Sequence, residues 1–111
     1  MVEPGLDRHE WESEMQALED QLGENPAEAL PELDRLLERM LEETGYDLAD
    51  PVVREGDERE VVAEFLAARE ITTLIERDQG DVGPGDVAAA INGYRAVFEY
   101  IVSNRSTLDQ A

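Results

Sequence analysis

Two arginines interrupt apolar stretches of the sequence and are the first candidates for a binding role. Arg69 follows a Leu-Ala-Ala run, and Arg95 stands beside Tyr94. An arginine in such a place usually reaches toward solvent or pairs with a carboxylate. The functional alternative is a pair of cations between two helices that binds an anion or a small ligand. Arg69 and Arg95 are therefore the residues for which we predict ligand contact.

His9 is the only histidine of the chain and opens the segment HEWES. A zinc-protease helix needs a second histidine four residues later, and Ser13 stands there. A di-iron helical bundle needs two Glu-x-x-His pairs, which one histidine cannot supply. We therefore interpret His9 as a surface residue in a first helical turn, and predict no metal site from it.

The many carboxylates also raise the possibility of a magnesium enzyme. All-helical nucleotide pyrophosphatases bind metal through a Glu-x-x-Glu and a downstream Glu-x-x-Asp on facing helices. Here the only Glu-x-x-Glu joins Glu55 and Glu58 in a predicted loop, and Glu-x-x-Asp is absent. The acidic loop from Asp78 to Asp86 lacks the alternating ligands and the closing glutamate of a calcium loop. We predict no catalytic, cofactor-binding or metal-binding residue, and no cofactor.

Several other chemistries lack the residue types they need. The chain has no cysteine, so it contains no disulfide, catalytic thiol or thiolate metal site. The GPGD segment at 83–86 follows no predicted strand and contains no lysine, unlike a phosphate-binding loop. The arginines are scattered and form no basic patch, so we expect no nucleic-acid partner.

Charge is the strongest compositional feature of the chain. It has 28 acidic residues against nine basic ones, which are all arginine, for a formal net charge of −19. A functional interpretation is a polyanionic surface that mimics nucleic acid or attracts cations. The other interpretation is adaptation to molar salt, where the screening length falls to ~3 Å and self-repulsion is largely removed. The carboxylates are spread along all the candidate helices, which favours the second interpretation.

The acidic excess, the absence of lysine and cysteine, and the many alanine and valine residues resemble the proteins of extreme halophiles, particularly haloarchaea. The N-terminal segment MVEPGLDRHEW lacks the basic region and apolar run of a signal peptide. No stretch approaches the ~20 apolar residues that span a bilayer. We therefore expect a cytoplasmic protein with no membrane partner.

The apolar spacing predicts an all-α fold, a single bundle of four principal helices. The length suits one domain, residues 1–111, with flexible ends at about 1–6 and 104–111. The central helix is predicted near 58–77, because VVAEFLAAREITTLI at 61–75 is apolar over more than half its circumference. We expect it to contact three neighbours, namely the first helix and the stripes at 33–41 and 87–101.

The first helix is predicted to begin at an Asp7–Glu10 capping box and to end at Gly23. Its only apolar stripe is narrow and resembles a coiled-coil seam. The stripe consists of Trp11, Met15, Leu18 and Leu22. We expect this helix on the outside of the bundle, and predict that the same stripe can support self-association.

The second helix is predicted to begin at Asn25-Pro26, since proline is favoured at the first helical position. Pro31 lies five residues further on, where it removes a backbone donor and crowds the preceding turn. Two alternatives follow: a short turn with a fresh start near Pro31, or one kinked helix. From Leu33 the apolar spacing is regular, and Gly45 is predicted to end the helix.

Some of the remaining elements are predicted more clearly by the sequence than others. Residues 46–56 are the least predictable segment, in which Asp50-Pro51 is a candidate cap and Leu48, Val52 and Val53 are candidate core contacts. Asp57 with Glu60 forms a capping box for the third helix. Residues 78–85 hold three glycines and a proline and are predicted to be a loop. Asp86 is predicted to cap the last helix.

The segment GDVAAAINGY, residues 85–94, resembles the second helix of tetratricopeptide-type hairpins. The resemblance covers only these residues and implies a helical hairpin with close packing near Ala90 and Gly93. The leading functional expectation is a non-enzymatic interaction or structural protein, with a protein partner or a second copy as its partner. The alternative is a small-ligand or anion-binding regulatory domain that uses Arg69 and Arg95. A carboxylate-metal enzyme comes third.

Overall fold

Four α-helices make up the described part of the chain, as the sequence predicts. The computed structural model describes residues 4–44 and 56–110, with side chains at 9–44 and 59–103. The helices are α1 (Pro4–Glu24), α2 (Pro26–Glu43), α3 (Gly56–Glu76) and α4 (Pro84–Gln110). No strand occurs within the described ranges. Residues 45–55 lie outside the described residues, and with them the predicted helix end at Gly45, the predicted core contacts of this segment, and Glu55.

The first helix begins earlier than its capping box predicts. Helix α1 starts at Pro4, so Asp7 lies within its first turn instead of at its N-cap. Proline is well suited to the start of a helix because its missing N–H would have no partner there. The helix also passes through Gly23 and ends at Glu24, one residue later than expected.

The second helix runs through Pro31 without ending. Helix α2 is continuous from Pro26 to Glu43, which excludes the fresh start near Pro31 and favours the alternative of one helix. Asn25 is the N-cap residue, although its side chain makes no capping hydrogen bond. At the other end, the Thr44 hydroxyl donates to the carbonyl of Met40 at 2.8 Å and caps the last turn.

The third helix ends in a left-handed turn. Helix α3 begins at Gly56, so Asp57 lies inside its first turn and is not the N-cap. After Glu76 the Asp78 N–H donates to the carbonyl of Ile75, and the Gln79 N–H donates to that of Leu74. These two bonds, with φ of 52° at Asp78, form a Schellman motif.

The last helix begins with a reciprocal cap. Helix α4 starts at Pro84, two residues before Asp86. The Asp86 carboxylate accepts the Gly83 N–H at 3.1 Å, while the Gly83 carbonyl accepts the Asp86 N–H. Asp86 therefore caps the helix from inside its first turn. The helix then continues to Gln110, and its 27 residues span about 40 Å.

Helices α2 and α4, and not α3, have the most neighbours. Among the described helices, α2 packs against the other three, and so does α4, while α3 contacts only these two. The predicted contact between the helix near 58–77 and the first helix is absent from the described residues. Contacts across the α1–α2, α2–α3, α3–α4 and α1–α4 seams pair residues near the start of one helix with residues near the end of the other, so these helix pairs are antiparallel. Helices α2 and α4 therefore run parallel and face each other across the diagonal of the bundle.

One apolar core joins all four helices. The predicted stripe of α1 is buried, with side chains 4–7% exposed. The α2 residues from Leu33 to Leu41 that were assigned to the core are at most 1% exposed. A Cβ at Gly93 would lie 3.5 Å from Ala68 Cβ, so α3 and α4 pack closely at Gly93, as the hairpin resemblance implies. No described helix is both long and apolar enough to cross a membrane.

Candidate functional site

A cluster of polar side chains lies inside the bundle, between α2, α3 and α4. Its members come from all three helices and are Asp34, Glu38, Arg69, Thr72 and Tyr94. Tyr94 and Thr72 are almost completely buried, and Asp34 is only 9% exposed. Buried polar groups are costly unless they are hydrogen-bonded, so the partners of each group decide what the cluster can do.

Asp34 and Arg69 form the centre of the cluster. The Arg69 Nη2 donates to Asp34 Oδ1 at 2.7 Å, and its Nε donates to Oδ2 at 3.0 Å. This is the two-pronged geometry in which a guanidinium binds a carboxylate most strongly. The pair connects the middle of α2 to the middle of α3.

Two further contacts hold the Arg69 guanidinium in place. Its Nη2 also donates to Glu38 Oε2 at 2.7 Å, one turn along α2 from Asp34. The guanidinium carbon lies 4.7 Å from the centre of the Phe65 ring, in a cation–π arrangement. Hydrogen bonds from Arg69 to Asp34, more than any other contact, raise the pKa of Arg69 further above its ordinary range. Arg69 is therefore a permanent cation.

Tyr94 extends the cluster to the fourth helix. Its hydroxyl donates to Asp34 Oδ2 at 2.8 Å and lies 2.7 Å from the Thr72 hydroxyl. Because a carboxylate only accepts, the single Tyr94 proton is directed to Asp34. The single Thr72 hydroxyl proton lies within reach of two acceptors, the Tyr94 oxygen and the carbonyl of Ala68 at 3.0 Å. Asp34 thus receives donors from both α3 and α4.

Burial raises the pKa of Tyr94 far above its usual value of about 10. Thr72 opposes this rise with its hydrogen bond, while the negative charge of Asp34 adds to it. Tyr94 is therefore a neutral donor throughout the physiological range. A phenol in this state does not act as a base, and its proton is committed to Asp34.

The sequence indicates part of this cluster. Thr72 and Tyr94 fall on the predicted apolar stripes, and both are buried. Asp34 was missed, although it shares the helical spacing of Leu30, Leu37 and Leu41 and so lies on the buried face of α2. A charged residue at a core position is the signal that identifies it. Glu38, one turn further along α2, is half-buried against Arg69.

Arg95 is engaged in a separate ion pair. Its Nε and Nη2 donate to the two carboxylate oxygens of Glu19 at 2.8 and 2.7 Å, which connects α4 to α1. The hydrogen bond from Arg95 lowers the pKa of Glu19, against the opposing effect of burial. Both side chains are more than a third exposed, so solvent weakens the pair.

The two arginines singled out by sequence therefore belong to different seams of the bundle. Arg69 lies between α2 and α3, whereas Arg95 lies between α1 and α4. An anion at either arginine would compete with a carboxylate that is already bound. A third arginine, Arg39, pairs with Glu14 at 2.6 Å across the α1–α2 seam.

The surface beside Arg95 holds a small open cleft. Its volume is about 240 Å³, below the usual range for sites that enclose a ligand. It lies between the end of α1 and the start of α4 and is lined by Leu22, Ile91, Asn92 and the Glu19–Arg95 pair. His9 is exposed, as expected. No group of three potential metal ligands occurs among the described residues.

Comparison with known proteins gives no assignment. No protein-family model, no characterised protein and no solved structure matches the chain.

Proposed function

We propose that this chain is a non-enzymatic helical protein with an interaction or structural role in the cytoplasm of a halophile. The observation that carries the proposal is that arginines are paired with carboxylates within the bundle. Arg39, Arg69 and Arg95 each bridge a different pair of helices through carboxylates of the same chain. The hydrogen bonds that these arginines donate stabilise the bundle. The buried hydroxyls in the Arg69 cluster are also hydrogen-bonded to groups of the same chain.

The alternative is a small-ligand or anion-binding domain that uses Arg69 and Arg95, and it has less support. An anion would have to displace Asp34 from Arg69, or Glu19 from Arg95, and both contacts are bidentate. The formal charge of −19 also repels anions from the whole surface. A carboxylate-metal enzyme has no described cluster of ligands in its favour.

A second copy of the chain is the partner we propose, through exchange of α1. The stripe predicted for self-association is Trp11, Met15, Leu18 and Leu22, and it is buried in the core of its own chain. Two copies can use it only if α1 leaves its own bundle and packs on the other. Asn25 is the only residue between α1 and α2, and short hinges favour such domain swapping.

Sedimentation velocity in molar KCl, over a wide range of protein concentration, tests this proposal. We expect a dimer that increases with concentration. The matched variant carries a short Gly-Ser insertion between Asn25 and Pro26. It should be more monomeric, because a longer hinge lets α1 fold back on its own chain without strain.

A monomer at every concentration would contradict the proposed partner. An equal dimer fraction in the insertion variant would show association through another surface, and would overturn the exchange of α1. The far-ultraviolet circular dichroism of both proteins confirms that each remains helical under the conditions of the comparison.

A further inference from the structure

Helix α1 is attached to the bundle in a different way from the other helices. Among the described helices it contacts α2 and α4 but not α3. Two ion pairs connect it to them, at Arg39 and at Arg95, and all four side chains of these pairs are more than a third exposed. Exposed pairs contribute little stability, so the apolar stripe of α1 supplies most of its attachment. Helices α2, α3 and α4 are instead joined to one another by the buried hydrogen bonds around Asp34 and Tyr94.

The four helices also differ in charge. Helix α1 has seven acidic residues and one arginine, α2 and α3 each have six and two, and α4 has three and two. Helix α1 is therefore the most acidic of the four, and it packs against α2, which is acidic as well. The screening length rises from about 3 Å at 1 M salt to about 10 Å at 0.1 M. Repulsion between α1 and the rest of the bundle therefore grows as the salt concentration falls.

We propose that the salt concentration controls the release of α1. As salt falls, α1 separates from α2 and α4, while α2, α3 and α4 remain together through their buried contacts. The single residue Asn25 connects α1 to α2, so α1 can leave by a change of backbone conformation at this hinge alone. Release of α1 precedes the unfolding of the other three helices.

The surface that α1 leaves is an apolar groove between α2 and α4. Leu36 of α2 and Ile91 of α4 line clefts beside the α1 stripe, and Arg39 and Arg95 lie next to them. The α1 helix of a second copy fits this groove, because it carries the same apolar stripe and the carboxylates that pair with both arginines. This step rests on the proposed exchange of α1. It makes the exchange fast at a salt concentration that releases α1 and slow in molar KCl.

Hydrogen exchange of the whole chain, resolved by helix and measured at decreasing KCl concentrations, tests the release. We expect α1 to lose protection by about tenfold or more, as for a local opening, at a KCl concentration at which α3 is still protected. Two double variants of equal total charge identify the cause. Asp20→Asn with Glu24→Gln removes two exposed charges from α1, and Glu70→Gln with Glu76→Gln removes two from α3. Each pair includes the last residue of its helix.

The α1 variant should keep its α1 protection to a lower KCl concentration than the wild type, whereas the α3 variant should shift this concentration much less. Loss of protection in α1 and α3 of the wild type at the same KCl concentration would overturn the proposal. Equal shifts in the two variants would assign the effect to the total charge of the molecule and would overturn it as well.

Cross-linking between copies distinguishes this proposal from the exchange itself. The chain has no cysteine, so a short bismaleimide joins Glu14→Cys of one copy to Arg39→Cys of another only where α1 of the first packs on α2 of the second. Glu14→Cys mixed with Glu70→Cys is the control, because α1 and α3 make no contact among the described helices. The copies are mixed either at a KCl concentration that releases α1 or in molar KCl throughout, and are cross-linked in molar KCl.

Exchange through an open form follows the population of that form. A tenfold loss of α1 protection should therefore raise the rate at which cross-linkable pairs form by about the same factor. Equal rates at the two KCl concentrations would overturn the control of exchange by salt. Absence of the cross-link at every KCl concentration, with α1 still released before α3, would contradict the second copy as partner and would confirm the release of α1.

Discussion

The Tyr94 hydroxyl shows how much one oxygen atom contributes when it is buried among helices. It joins Asp34 of α2 to Thr72 of α3 from a position on α4. Tyr94 also packs edge-on against the Phe65 ring, with ring centres 6.0 Å apart. The ring contributes apolar packing, and the hydroxyl adds a hydrogen-bonding partner for each of two buried polar groups.

Removing only this hydroxyl should destabilise the protein. We expect Tyr94→Phe to lower the free energy of unfolding by about 1–3 kcal/mol, because Asp34 and Thr72 each lose a hydrogen-bonding partner in a buried place. Urea unfolding in molar KCl measures the change. Tyr100→Phe, at a partly buried position of the same helix, is the matched control and should change stability by less than about 0.5 kcal/mol. Equal effects of the two substitutions would show that the buried hydrogen bonds of Tyr94 add no more stability than a hydroxyl at a partly buried position.

Apolar periodicity predicts the burial of a residue more reliably than it predicts the contacts between polar groups. Thr72 and Tyr94 are placed correctly because each occupies a position on an apolar stripe. Their contact with Asp34 depends on how α2, α3 and α4 are arranged in space, which no local pattern encodes. For the same reason, Arg69 and Arg95 were expected to form one site, although they lie in different seams.

At the level of elements, the helix ends show where local sequence signals compete. Asp7 and Asp57 both satisfy the capping-box pattern, yet the helices start earlier, at Pro4 and Gly56. A capping box identifies residues that can cap, and an aspartate inside the first turn is also favourable because of the helix dipole. The pattern therefore predicts the existence of each helix and its approximate start, but not its first residue.

Two glycines with different backbone conformations give a direct test of the helix ends. Gly23 lies in the last turn of α1 with open space around it, so Gly23→Ala should stabilise the protein by about 0.5–1 kcal/mol. Gly80 has φ of +74°. Gly80→Ala should therefore destabilise it by about 1 kcal/mol or more. Thermal melts of the two variants in molar KCl compare them. Changes of the same sign would contradict the backbone assignment at one of the two positions.

For the whole molecule, the all-α class and the four helices follow from the sequence, but the arrangement of neighbours does not. The wide apolar stripe at 61–75 suggested a helix with three neighbours, whereas α3 packs against two of the described helices. Part of that width is explained by the half-buried Leu66, Ile71 and Ile75 at its edges. Helices α2 and α4 are instead the ones that pack against three others.

Charge acts on the molecule as a whole. The excess of 28 acidic residues over nine arginines makes the molecule repel itself, while three arginines hold neighbouring helices together. Repulsion between exposed charges acts over long distances and is screened by salt, whereas the contact at Asp34 is short and largely buried and is screened less. Salt should therefore remove more repulsion than attraction, and the fold should become more stable as the salt concentration rises.

The melting temperature of the wild-type chain as a function of KCl concentration tests this account most directly. The screening length falls from about 30 Å at 0.01 M to about 3 Å at 1 M salt, so the repulsion is removed within this range. We expect the melting temperature to rise steeply between low and molar KCl. A melting temperature that stays constant across the same range, or falls, would contradict the proposal that this acidic bundle is built for a high-salt cytoplasm.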